Sequence, residues 1–299
     1  MRRYFFIFAA SFISVSANAN LASNSNHDRA YWRAVIAQQY QVPANADIAK
    51  LAIELGGLVS NPDPELRDTF GYEILAYWIH RSGKLSAADF DVLRKSFLPH
   101  ISHGLGEAGS DSVFARSFAL LNLKELAAAD LKTPFLTQTT FDELFDLAEK
   151  SLISEKDLRG YVEAKGWAHA TAHAADLMRI LARNSKLRVA QQPRFIAAIA
   201  TRTRTATTVF VWGEDARLAA ALASVVIRAD ADYAPLEAWL ASLETEQRQL
   251  WVGAFDPSAY VRVRTQVNTL SHLAALAARL PVFPVKLRDA LQATLAKVI

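Results

Sequence analysis

The chain has 299 residues with 33 Lys and Arg against 30 Asp and Glu, and its formal charge of +3 includes Arg2 and Arg3, so that it falls to +1 without them. Such a balance gives no support to nucleic-acid binding, which needs Lys and Arg clustered on one face; the densest basic stretch, Arg202 and Arg204 with Lys186 and Arg188, is interleaved with Thr and apolar residues. The absence of cysteine removes disulfides, thiol nucleophiles and thiolate metal sites together, and leaves stability to a core that 52% hydrophobic residues can supply.

The first segment, MRRYFFIFAASFISVSANA, has two arginines, an apolar run from Tyr4 to Val15 and a small-x-small ending at Ala17-Asn18-Ala19. That is the pattern of a secretory signal, residues 1–19, with cleavage expected between Ala19 and Asn20 and a periplasmic or secreted destination. The run is shorter than the ~20 apolar residues a spanning helix needs. Later segments are interrupted by charges, so no transmembrane anchor is expected in the mature chain 20–299.

Beyond the signal the apolar residues recur at spacings of three and four, the period of amphipathic helices. Asp63-Pro64 reads as an N-cap followed by proline at the first helical position, where its missing N–H costs nothing. Ser86 and Asp111 are candidate starts of two further helices. Phe114, Phe118 and Leu121 form a stripe in the second of these. Thr140 and Glu143 read as a capping box ahead of the stripe Phe141, Phe145, Ala148 and Leu152. The run Thr205–Trp212 is the only β-like one, and it is short. Leu218, Leu222, Val225 and Val226 resume the helical pattern, Asp256-Pro257 opens another helix, and Leu270, Leu273, Leu276 and Leu280 close the series.

About a dozen helices with short connections follow from these signals. Acidic helix openings followed by arginine recur as DPELRD (63–68), EKDLRG (155–160), GEDARL (213–218) and DPSAYVRVR (256–264). Glu214 to Asp256 falls within the period of ~40–47 residues of HEAT-like helical pairs, while the other intervals do not. The expectation is an all-α fold: an irregular α-solenoid of HEAT-like hairpins, forming one elongated domain over 20–299. In it, acidic residues near turns pair with arginines on neighbouring helices and staple adjacent layers.

Chemistry gathers in GWAHATAHAADLM, residues 166–178. On a helix His169, His173 and Asp176 share an arc of about 60°. The His-x-x-x-His spacing is the one by which two imidazoles bind one divalent metal such as zinc, with a carboxylate one turn on as third ligand or orienting group. Glu155, Asp157 and Arg159, about ten residues earlier, could fold back across a hairpin as supporting groups. The alternative is a packed helix on which the histidines bond to neighbouring polar groups and Asp176 pairs with Arg179. Ala170 stands where the glutamate of an HExxH zincin would be, so that hydrolytic mechanism is missing. Gly104-Leu-Gly106-Glu-Ala-Gly109 matches a dinucleotide fingerprint in letters only, because no strand precedes it.

NPDPELRDTFGYEILAYWI, DSVFARSFALL, SEKDLRGYVEAKGWAHATAHAADLM and GEDARLA, spanning Asn61 to Ala219, resemble the bacterial domain-of-unknown-function family 2785 (DUF2785). The resemblance implies an α-helical fold and supplies no catalytic residues. Two functions remain. One is an exported binding or scaffold module that presents a concave surface to a protein, peptide or envelope component. The other is a metal- or acid/base-dependent, hydrolase-like enzyme centred on His169, His173 and Asp176.

Overall fold

A computed structural model describes residues 26–299. The signal segment 1–19 and its cleavage point lie outside the described residues. Half of the helices start where short polar side chains satisfy the free N–H groups of a first turn. Asp28 caps α1 (Arg29–Ala37) and Asp47 caps α2 (Ile48–Gly57). In α3, residues 65–82, Asp63 accepts the Glu65 N–H at 2.9 Å with Pro64 between them, as the sequence suggested. This helix is wound with wide i→i+5 turns over Glu65–Ile74 and Trp78–Ser82, on either side of an α-helical stretch, Leu75–Tyr77.

Ser86 and Asp89 form a capping box at the start of α4 (Ala87–Ser102). Asp111 precedes α5 (Ser112–Lys132) but does not cap it; its carboxylate goes instead to Lys165 Nζ, at 2.7 and 2.8 Å. Helix α6 (Gln138–Ser154) starts three residues before the expected capping box, because Thr137 Oγ1 accepts the Thr140 N–H at 3.1 Å and takes the cap for itself. Then come α7 (Ala170–Ala182), α8 (Gln192–Arg204), α9 (Glu214–Val226) and α10 (Ala234–Gln249). Asp256 caps α11 (Pro257–Arg279) with proline at its first position, and α12 (Val285–Val298) ends the chain.

Two short strands break the helical series. β1 (Tyr161–Val162) pairs antiparallel with β2 (Gly166–Trp167), joined by a turn in which Ala164 and Gly166 have φ of +60° and +79°. Residues 205–212, the β-like run, instead form an irregular connection from α8 to α9. No strand pairs with them among the described residues, so their β-propensity has no ladder to join.

The packing alternates. Helix α5 lies against α7, α7 against α9 and α9 against α11, while α6 contacts α8, α8 contacts α10 and α10 contacts α12. Apolar side chains from Trp32 to Val298 merge into one large core, and a second, small cluster of Val113, Phe114, Ala168 and Ala170 lies beneath the β-hairpin. Arginines tie successive elements together. Arg116 on α5 binds Glu155 at the end of α6, Arg202 on α8 donates to the Leu152 and Glu155 carbonyls, and Arg228 donates to the carbonyls of Ala182, Asn184 and Leu187. The last of these satisfies free acceptors at the C-terminus of α7, where a cation also complements the helix dipole. Among the described residues no helix is long and apolar enough to cross a membrane.

Candidate functional site

The 159–169 segment seats the first histidine. Ala168 N–H donates to Gly160 C=O at 2.8 Å and His169 N–H to Arg159 C=O at 3.1 Å, which extends the two-residue ladder on both strands. From below, Arg67 holds the turn. Its Nη2 donates to Lys165 C=O at 2.6 Å, its Nη1 to Asn61 and Pro62 C=O, and its guanidinium lies 4.2 Å and 4.8 Å from the ring centres of Phe114 and Phe118. Beside it, burial outweighs the Arg67 charge and pushes the Asp68 carboxyl up to about 6.

His169 is not on the same helix as His173 and Asp176, as its spacing suggested. It stands one residue before α7 with φ +51° and ψ +29°, a left-handed conformation that costs a residue with a Cβ about 1–2 kcal/mol. Hydrogen bonds on both sides hold it there: its N–H to Arg159, and its C=O accepting from His173 N–H at 3.0 Å.

The two imidazoles meet edge to face, with centres 5.8 Å apart. His169 stacks on Trp167 at 4.4 Å; its Nε2 lies 3.1 Å from Trp212 C=O and 3.8 Å from Glu214 Oε1. His173 Nδ1 is 2.7 Å from Ser117 Oγ on α5, and its ring meets Phe118 edge-on. Burial pushes both pKa values down, His173 well below 6.5, helped by the neighbouring His169 and Arg217. Both rings are therefore neutral at pH 7. A neutral ring nitrogen facing a carbonyl must carry the proton, which places it on Nε2 of His169.

The carboxylates of Glu155 and Asp157 do not converge on these rings. Glu155 forms a buried two-bond pair with Arg116, and its Oε1 also accepts the Lys156 and Asp157 N–H groups. Asp157 binds Arg159 and the Gly109 N–H, while Arg159 also donates to Ser110 C=O. The hairpin thus brings the Arg159 carbonyl to the His169 N–H, while the Asp157 and Arg159 side chains bond to Gly109 and Ser110 and Glu155 goes to Arg116. Asp176 pairs with Arg217 on α9, not with Arg179. Among the described residues, no group of three or more His, Cys, Asp or Glu is placed to hold a metal ion.

Several contributors were not legible as partners. Ser117 on α5, Trp212 before α9 and Glu214 at its start reach the histidines, and Arg217 on α9 reaches Asp176, across sequence distances of about 40–60 residues. The GEDARL motif flagged this segment as a helix opening but carried no sign of what it would face. A second polar cluster was not anticipated: Glu125 on α5 accepts from Tyr72 O–H at 2.7 Å, lies 2.6 Å from His80 Nε2 and pairs with Lys124.

Beside the hairpin, a cleft of about 430 Å³ lies between residues 156–161 and 207–214. Tyr161 and Trp212 line it, 50% and 48% exposed, with Trp212 packed against Gly160, and Trp167, 38% exposed, meets the Trp212 ring 5.7 Å away. An all-α protein with one inserted hairpin, two neutral histidines and an exposed aromatic edge is therefore what the chain builds. By family, the model for "Protein of unknown function (DUF2785)" matches residues 101–276, more than half of the chain, so the chain belongs to that family. No curated protein and no solved structure matches it.

Proposed function

We propose that the chain is an exported, non-enzymatic binding or scaffold protein. In this reading residues 1–19 direct export and are removed before Asn20. Residues 20–299 then form one elongated α-solenoid of HEAT-like hairpins in the periplasm or outside the cell. The alternating contacts of odd- and even-numbered helices support the solenoid arrangement, since each layer touches mainly its neighbours.

One observation carries the binding role. Glu155, Asp157 and Asp176 are each engaged by an arginine, whereas Tyr161, Trp167 and Trp212 present aromatic surface to solvent beside a cleft. Exposed aromatics of this kind are the common anchors of protein, peptide and other ligand contacts. The expected partner is a protein, peptide or envelope component. In the source cells the mature protein should begin at Asn20 by N-terminal sequencing. It should co-sediment with isolated envelopes, and Trp167→Ala/Trp212→Ala should release it without lowering its melting temperature by more than a few degrees. Equal co-sedimentation of that variant would remove the aromatic edge from the reading.

A second reading, a metal- or acid/base-dependent enzyme, is favoured by one fact: burial keeps His169 and His173 neutral, the form that ligates metals and accepts protons. Metal analysis separates the two readings. Stoichiometric zinc in the wild type, lost in His169→Ala/His173→Ala, would support the enzyme.

A further inference from the structure

Polar groups line the cleft beside the hairpin. Glu214 lines it and is 2% exposed, with the Trp212 N–H donating to its Oε2 at 3.0 Å. Among the described residues no lysine or arginine pairs with it. His169 Nε2 lies 3.8 Å from its Oε1, in a ring that burial keeps neutral. A buried carboxyl without a cation is costly unless it is hydrogen-bonded; the backbone N–H groups of Trp212 and of Glu214 itself supply two bonds, and a carboxylate with about four lone-pair sites can accept more. Thr207 and Thr208, both exposed, line the same cleft. Arg159 and Asp157, in contrast, are satisfied by each other.

The aromatic edge narrows the ligand class. Tyr161, Trp167 and Trp212 meet edge to face or tilted, with centres 5.3, 5.7 and 6.5 Å apart. Rings that close on one another leave no room between them for a trimethylammonium group, which must itself sit within ~6 Å of each ring face. The open surface is instead a flat outer face of rings beside a carboxyl and two hydroxyls. Saccharides match that surface: the C–H face of a pyranose ring stacks on an aromatic face, and its hydroxyls donate to carboxyl and threonine oxygens and accept from threonine. The volume falls within the roughly 300–1,000 Å³ of small-ligand sites.

We propose that the cleft between residues 156–161 and 207–214 binds an uncharged oligosaccharide, one sugar ring stacked on Trp212 and its hydroxyls bonded to Glu214, Thr207 and Thr208. The inference rests on the binding-protein reading and gives that reading a ligand class. The test titrates the mature protein with cellotetraose, chitotetraose and maltotetraose, followed by tryptophan fluorescence and calorimetry. At least one should bind saturably. Trp212→Ala should weaken it tenfold or more and Glu214→Gln severalfold. Trp251→Ala, at an exposed tryptophan elsewhere, should leave the affinity unchanged. Thr207→Val/Thr208→Val, on an exposed segment, serves if Trp212→Ala does not fold, and it should also weaken binding severalfold.

No binding of any of the three sugars at millimolar concentration would overturn the proposal, as would equal affinity in Trp212→Ala. Saturable binding of choline or of a peptide in the cleft instead would also overturn it. If the sugars fail while envelope co-sedimentation still depends on Trp167 and Trp212, the saccharide inference falls and the binding reading stands. Loss of both dependences removes the two together.

Discussion

Arg116 and Glu155 meet through two hydrogen bonds, 2.6 Å from Nε and 3.0 Å from Nη2, at positions only 1% and 4% exposed. The pair joins α5 to the end of α6, and Arg116 adds bonds to Ser112 Oγ and His103 C=O. Removing one partner leaves a buried charge uncompensated, which costs about 3–5 kcal/mol, whereas exchanging both for apolar residues is often close to neutral. Arg116→Ala should therefore lower unfolding stability in urea by about that much. Arg116→Met/Glu155→Leu should recover most of the loss, less the bonds that Glu155 makes to the Lys156 and Asp157 N–H groups.

His173 gives stability a pH dependence with a definite sign. Its folded pKa lies well below the 6.5 of the free side chain. Below pH 6.5 the unfolded chain takes up a proton that the folded ring resists, so stability falls as pH falls, by up to about 1.4 kcal/mol per pH unit for this group. His169 acts in the same direction, while Asp68 and Glu214, both pushed up, act in the opposite one. The informative quantity is the difference between variants. His173→Asn should destabilise the protein at pH 7.5 through the lost contact with Ser117, and the gap to wild type should shrink steadily between pH 6.5 and 5 in urea unfolding. A constant gap would show that His173 titrates normally.

Gly160 is set by close approach rather than by turn geometry. A Cβ built there would stand 2.1 Å from Trp212 Cδ1 and 2.2 Å from Cγ, below any real contact. Gly160→Ala must push the indole off the hairpin, and with it disturb the Trp212 carbonyl that faces His169 Nε2. We expect a red-shifted tryptophan emission and a stability loss of about 1–3 kcal/mol, in the range of overpacked sites. An unchanged emission spectrum would mean that the indole does not rest on this glycine.

The helical character was legible because spacings of three and four and capping residues such as Asp63, Ser86 and Asp256 act within one turn of the chain. The hairpin at 161–167 was not. Two-residue strands are too short to show a period, and they are fixed by Arg67, which reaches Lys165 from 98 residues away. The candidate site was half legible for the same reason. His169, His173 and Asp176 lie near one another through local geometry, whereas Ser117, Glu214 and Arg217 join them only through packing of α5 and α9 on α7. The direction of the 155–159 side chains also depended on a distant loop, since Gly109 and Ser110 claim Asp157 and Arg159.

Glu125 supplies the test of the second polar cluster. It is 6% exposed and bordered by a cleft of about 650 Å³ between α3 and α5. Burial alone would raise its pKa, but the bonds from His80, Lys124 and Tyr72 outweigh it and hold the carboxyl down at about 2. The free side chain titrates near 4.5, so the ionised form stabilises the fold above that pH by about 3 kcal/mol, and this contribution is lost as pH falls from 4.5 towards 2. Glu125→Gln keeps the shape and removes the charge. It should cost about 2–3 kcal/mol at pH 7, with the deficit narrowing only below pH 4.5. Tyr72→Phe, which removes one neutral bond, should cost about 1 kcal/mol and leave most of the acid dependence in place, because His80 and Lys124 still hold the carboxylate. If Tyr72→Phe abolished the acid dependence, the phenol rather than His80 and Lys124 would be what holds Glu125 ionised.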